Sequence, residues 1–143
     1  MNDYLNVIRN NYANFEGRAR RQEYWMFQLF NFIVITVFYG LSMISLALGA
    51  LGADNNSSIN AGIIFSFIFI GLLFIYSVGV LVPTLAITVR RLHDAGQSGW
   101  MYLLSLVPLA NIAVFVFTVL ESQPGTNKWG PNPKGVTAVP QPF

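Results

Sequence analysis

Residues 24–53, 55–89 and 95–120 contain no Asp, Glu, Lys or Arg. A helix needs about 20 mostly apolar residues to cross a hydrocarbon core of roughly 30 Å, so each stretch can hold one crossing. The pattern predicts spans over about residues 25–51, 61–89 and 100–120. Ahead of them, Leu5, Ile8, Tyr12 and Phe15 recur at spacings of three and four, which places them on one face of a helix. That face suits an amphipathic helix lying in the headgroup region or one packed on the rest of the protein. The expected fold is an all-α membrane protein, a three-span helical bundle with an N-terminal amphipathic interfacial helix. Its organisation is a polar segment 1–23, a transmembrane domain 24–120 and a Pro/Gly-rich tail 121–143.

Breakers and small residues refine the spans. The run Gly52–Asn60 is a polar connector without Lys or Arg. The second span is longer than the bilayer core and should tilt or bend, with Pro83 as the place for a kink. Gly71 and Gly79, and Ser45 and Gly49, are small residues that allow close helix approach. Val107-Pro108 interrupts the third apolar stretch, so a re-entrant hairpin is the alternative to a third crossing. The tail reads as extended or loosely ordered.

Composition narrows the class. Charged residues make up 10% of the chain, against roughly 25% in a typical soluble domain, too few to coat a soluble fold of this size. A net charge of +2 with no long basic run argues against nucleic acid. The absence of cysteine excludes disulfides, thiolate metal sites and thiol catalysis. The first apolar stretch begins only at Trp25 and is too long for a cleaved signal peptide. None of the polar residues inside the spans is ionisable, which counts against a pump and leaves a passive pore open.

Lys and Arg set the expected orientation. Residues 1–23 hold four of them, the connector none and residues 90–94 two, which places the N-terminus and the 90–94 segment in the cytoplasm. Three crossings put the tail, with Lys128 and Lys134, outside. A re-entrant third segment returns it to the cytoplasm and puts every Lys and Arg inside.

Two polar clusters flank spans on that side. One contains Arg18, Arg20, Arg21, Glu23 and Trp25. The other contains Arg90, Arg91, His93, Asp94 and Trp100. Either Arg90 or Arg91 can meet Asp94 along a helix, and Glu23 is expected to pair with an arginine of the other cluster. Arginines at span ends fix topology, and the two tryptophans suit interfacial anchoring. The same arginines present forks of donors matched to a lipid phosphate. His93 beside Asp94 is the one candidate acid–base pair, without a partner nucleophile in a recognisable setting. A metal site would need more ligands than these residues offer, and no cofactor is expected.

Three segments carry a resemblance. Phe15-Glu-Gly-Arg-Ala-Arg-Arg-Gln-Glu-Tyr-Trp25, Arg90-Arg-Leu-His-Asp-Ala-Gly-Gln-Ser-Gly-Trp100 and Gly125-Thr-Asn-Lys-Trp-Gly-Pro-Asn-Pro133 resemble the signatures of the bacterial inner-membrane family known as domain of unknown function 805, the YhaH-like proteins. Trp129 stands where that family usually has Tyr. The resemblance implies a compact multi-pass protein of the bacterial inner membrane with no established activity. It lends weight to the three motifs meeting on one side. The function expected first is a non-catalytic membrane protein that binds anionic lipid or a partner protein through its cytoplasmic Arg/Trp cluster, as a homo-oligomer. The alternatives are an oligomeric small-solute channel or transporter and a lipid-modifying enzyme using His93 and Asp94.

Overall fold

The computed structural model of the chain describes residues 2–52 and 56–135, with side chains from Tyr4 in the first helix and from Ile59 in the third. Helix α1 is Asn2–Asn10, α2 is Arg21–Leu51 and α3 is Asn56–Asp94; a 3₁₀ helix, Gly99–Leu106, and a short α4, Asn111–Val119, follow. Asp54, in the middle of the expected connector, and tail residues 136–143 lie outside the described residues. The chain divides into two compact units, one of residues 29–81 and one of residues 1–28 and 82–143, here called the head.

In the unit 29–81, α2 and α3 pair through small and polar residues. Ser42 Oγ and Ser66 Oγ are 2.7 Å apart, and the Tyr76 hydroxyl donates to Asn31 Oδ1 at 2.5 Å. A Cβ on Gly62 would stand 2.7 Å from the Ser45 carbonyl oxygen and 2.8 Å from Gly49 Cα. Ser45 and Gly49 therefore act as the close-approach pair expected of them. Gly71 and Gly79 do not, since a Cβ on either meets nothing within 4 Å. Outside this seam the helices expose their apolar side chains, with Phe67 70% and Phe74 69% accessible. The most apolar windows of α2 and α3 have mean hydropathies of 2.1 and 2.6, yet only 11% and 6% of their residues are buried. A core helix of a soluble protein hides its apolar side chains; these two are long and apolar enough to cross a membrane and leave those side chains for lipid. Helix α3 continues through Pro83 without ending.

The head is built around Val7, Ala19, Phe27 and Ile87, with Tyr4, Ile8 and Tyr24 packed against them. Tyr4 stacks on Phe27 at 5.3 Å. This seats α1 on the protein by Tyr4, Val7 and Ile8, the second of the two readings of its apolar face. The helix stops at Asn10, so Tyr12 and Phe15 are not on its face as the spacing suggested.

The third span expected over 100–120 is not formed as one helix. The 3₁₀ helix has eight residues and α4 has nine, or roughly 16 and 14 Å, each about half a hydrocarbon core. The segment leaves the end of α3 and comes back to it, because the Gln123 N–H donates to the Asp94 carbonyl at 2.9 Å. Three crossings would put residues 18–21 and the tail on opposite sides of a bilayer, whereas Arg20 Nε donates to the Pro133 carbonyl at 2.6 Å. The segment turns back on itself beside the end of α3. As far as Gly135, the tail is also not loose: it folds into a small bridge in which Asn127 and Gly130 exchange backbone hydrogen bonds of 3.1 and 3.0 Å.

Candidate functional site

Helix α3 ends in a way its sequence dictates. Gly96 has φ +78°, its N–H bonds the His93 carbonyl at 3.0 Å, and the Gln97 N–H bonds the Leu92 carbonyl at 2.9 Å. This is the Schellman arrangement, which needs a residue at positive φ, and it turns the chain away immediately after Asp94. The last turn of α3 thereby becomes the place where the three motifs meet.

Asp94 is the hub and is fully buried. Its carboxylate accepts from Arg18 Nε at 2.9 Å, from Arg91 Nη1 and from the Ser122 hydroxyl at 2.6 Å. Arg18 spends its whole fork of donors inside the head. Beyond Asp94 Oδ1, it donates to the carbonyls of Gly125 (2.9 Å), Gly130 (3.5 Å), Gln123 (2.6 Å) and Asp94 itself (3.3 Å). Arg91 donates from Nε to the Thr118 carbonyl at 3.0 Å and from Nη2 to the Leu120 carbonyl. These carbonyls close α4, whose last turn has no intrahelical partners for them. Two guanidiniums thus share one carboxylate and hold the returning chain by its backbone.

The other charges lie nearer the surface. Arg90 pairs with Glu23 at 3.8 Å, so Glu23 does meet an arginine of the second cluster. Among the described residues, Arg90 Nε and Nη1 are buried with no hydrogen-bond partner. Arg21 faces Glu121 at 3.2 Å and donates to the Val119 carbonyl at 3.4 Å. Lys134 reaches Glu121 at 2.5 Å. The Lys134 hydrogen bond and charge, then Arg21, hold the Glu121 carboxyl below the usual carboxylate range. Arg20 is exposed, spends one donor on Pro133 and lines a small polar pocket with Asn6, Gln22 and Glu23. Trp25 sets its ring edge-on to Phe115 at 5.9 Å.

The aromatic residues form a separate group. The His93 ring stacks on Trp129 with centroids 4.4 Å apart and 11° between planes, and Lys128 Nζ lies 4.3 Å from the Trp129 ring centroid. His93 Nδ1 is 3.3 Å from the Gly17 carbonyl; a carbonyl only accepts, so Nδ1 carries the proton of that bond. The Asp94 oxygens are occupied by Arg18, Arg91 and Ser122, so the His93–Asp94 acid–base pair considered from the sequence is not assembled. Trp100, in the 3₁₀ helix, is 78% exposed and lines a cleft beside His93 and Trp129.

The sequence-selected residues therefore separate. Arg18, Arg91 and Asp94 form a buried clamp, Glu23 and Arg90 a second pair, Arg20 and Arg21 contacts to the tail, and His93 joins Trp100 along the cleft. Ser122, Gln123 and Asn127 complete the assembly and escaped the sequence reading. Asn127 Nδ2 donates to the carbonyl of His93 and to Gln123 Oε1, both at 3.0 Å. Asn127 falls inside the third motif, which was the available signal. Most of the other partners are backbone carbonyls, which leave no mark in the side-chain pattern.

Long lipid-ready helices and a basic, internally bonded head define a helical membrane protein. The chain belongs to the family described as "Protein of unknown function (DUF805)", which matches residues 12–131. It is 38% identical over 135 residues to the inner membrane protein YhaH of Escherichia coli strain K12, covering 94% of this chain and 98% of that protein. It is 36% identical over 132 residues to the inner membrane protein YhaI of the same strain, covering 92% and 94%. No solved structure matches the chain. As a member of this family with such helices, the chain is an inner-membrane protein.

Proposed function

We propose that the chain is a non-catalytic, two-span membrane protein whose cytoplasmic head binds anionic lipid headgroups. The observation that carries this reading is the segregation of charge. Every Lys and Arg lies within residues 1–28 and 82–143. There, eight basic residues stand against Asp3, Glu16, Glu23, Asp94 and Glu121, a surplus of three positive charges. The positive-inside tendency puts such a head in the cytoplasm, together with the N-terminus and the tail.

The hairpin between them dips into the bilayer. Leu106 and Leu109, at its tip, are 78% and 82% exposed, which suits lipid and not water. Its backbone is partly satisfied locally, by Val107 N–H to the Leu104 carbonyl at 3.0 Å and Asn111 N–H to the Val107 carbonyl at 2.9 Å. Pro108 has no N–H to satisfy. Both features lower the cost of irregular backbone at that depth.

Arg18 and Arg91 are not available to a ligand, because their donors face inward. The cations that remain for a phosphate are Arg20 and Lys128 with Arg9, none of which is in an ion pair among the described residues. The channel alternative is less well supported. The polar side chains of the spans turn toward one another or their own backbone, as in Ser42–Ser66, Tyr76–Asn31 and Ser77 to the Leu73 carbonyl.

Two measurements test the reading. The chain has no cysteine, so single-cysteine proteins report topology directly. In intact spheroplasts, Ser57→Cys is expected to react with a membrane-impermeant maleimide and Lys134→Cys to react only after permeabilisation. Labelling of Lys134→Cys in intact cells would remove the cytoplasmic head. The second measurement is retention of phosphatidylglycerol over phosphatidylcholine by purified protein. A basic residue near an anionic surface contributes about 1 kcal/mol, so Arg20→Gln/Lys128→Gln is expected to weaken the preference about ten- to thirtyfold. An unchanged preference would leave these cations as topology anchors alone.

A further inference from the structure

The arginine clamp uses Arg18, Arg91 and Asp94 and leaves Phe15, Trp100 and Trp129 of the three motifs unexplained. Those residues wall a cleft of about 700 Å³ in the head, within the roughly 300–1,000 Å³ of small-molecule sites. Leu85, Val89 and His93 line it from successive turns of α3, Trp100 and Leu103 from the 3₁₀ helix, and Trp129 from the tail. We propose that this cleft takes up one acyl chain of a negatively charged amphiphile from the membrane, with the anionic group held at Lys128. The inference rests on the lipid-binding reading above and adds which part of the lipid the head encloses.

Place and chemistry both point to an acyl chain. The cleft runs along the final turns of a membrane-length helix, and its outer wall is apolar and open, with Leu103 52% exposed. An aqueous pocket would hide such a wall; a lipid-facing one has no need to. Glycine at 99 lets the 3₁₀ helix close against α3, since a Cβ there would stand 2.7 Å from Val89 Cγ1 and 3.2 Å from His93 Nε2. A cation stands beside one of the cleft's walls. Lys128 sits against the Trp129 ring and, among the described residues, faces no carboxylate. An apolar slot with a cation beside one of its walls matches a long chain ending in an anion.

The test uses the full chain in a neutral detergent, in a Trp25→Phe background, so that both remaining tryptophans line the cleft. The probes are dibrominated stearate, at alkaline pH where it is ionised, and the corresponding dibrominated alcohol; bromine quenches tryptophan on contact. Saturable quenching at one probe per chain is expected. Narrowing the cleft with Leu85→Phe/Leu103→Phe should weaken it at least tenfold. Quenching that never saturates and is equal in both proteins would overturn the proposal. Should the narrowed variant not fold, Lys128→Gln decides. It should weaken stearate about fivefold, the equivalent of about 1 kcal/mol for one basic residue, and leave the alcohol unchanged. Equal effects on both probes would overturn the placement of the anion at Lys128. Phosphatidylglycerol preference, measured separately in bilayers, reports the headgroup reading. Saturable quenching without that preference refutes the surface reading alone, and the preference without saturable quenching refutes the cleft alone.

Discussion

Replacing Asp94 with alanine is expected to destabilise the protein by about 3–5 kcal/mol, the usual cost of stripping one partner from a buried ion pair. The effect should sit at the top of that range. Asp94 neutralises two guanidiniums, and the side chains of Arg18, Arg91 and Asp94 are 1% exposed or less. Without it, like charges face each other inside the head. The same change removes the acceptor for Ser122, so the returning chain loses its anchor as well as its charge balance. Asp94→Asn keeps the shape and one acceptor and should fall between wild type and alanine. Thermal unfolding in detergent checks the order. Limited trypsin digestion checks the mechanism, because cleavage at Lys128 and Lys134 should accelerate when the tail is freed. An alanine variant with wild-type melting and digestion would show that the clamp does not hold the tail.

The second large effect lies in the unit 29–81. Gly62→Val is expected to weaken the pairing of α2 and α3 by about 1–3 kcal/mol, the scale of overpacking. The atoms that a Cβ would strike are the Ser45 carbonyl oxygen and Gly49 Cα. They belong to backbone, so no rotamer change relieves the contact and the helices must separate. Separation also lengthens the Ser42–Ser66 hydrogen bond, one turn along α3 from Gly62. Gly71→Val is the matched control, since a Cβ there meets nothing within 4 Å. Unfolding both variants by titration of a denaturing detergent into mild micelles, followed by circular dichroism, compares them directly. Equal midpoints would mean that Gly62 marks no contact of consequence.

The arginines illustrate how differently one residue type can be used. Arg18 and Arg91 would be lost as ligands for lipid even though their sequence positions are those of a phosphate-binding cluster. Backbone carbonyls of α4 and the tail take the donors that a phosphate would have used. Arg20, two residues from Arg18, is exposed. Binding experiments on the arginines of the second motif would therefore confound unfolding with lost affinity, whereas Arg20 and Lys128 separate the two.

What the sequence determined by itself is local. A charge-free run of apolar residues is sufficient cause for a helix in lipid, because a bilayer leaves backbone groups no partner but one another; α2 and α3 follow from this alone. Gly96 announces the end of α3, since the left-handed residue of a helix cap favours glycine. The membrane class and the family motifs were equally legible. The course of residues 99–120 was not, because hydropathy is the same for a chain that crosses and a chain that turns back at Pro108. That choice is made by Arg18, Arg21 and Arg91 gripping carbonyls from Thr118 to Gly130, contacts between residues far apart in the chain. Pairing was undecided for a similar reason. Arg90 and Arg91 are adjacent, and a helix turns them about 100° apart, so each could claim Asp94 or Glu23. Only the packing of α1, α2 and the tail around the end of α3 sends Arg91 inward to Asp94 and Arg90 toward Glu23. The clamp is thus a property of tertiary structure, because all its acceptors but the Asp94 carboxylate are backbone carbonyls that every residue carries.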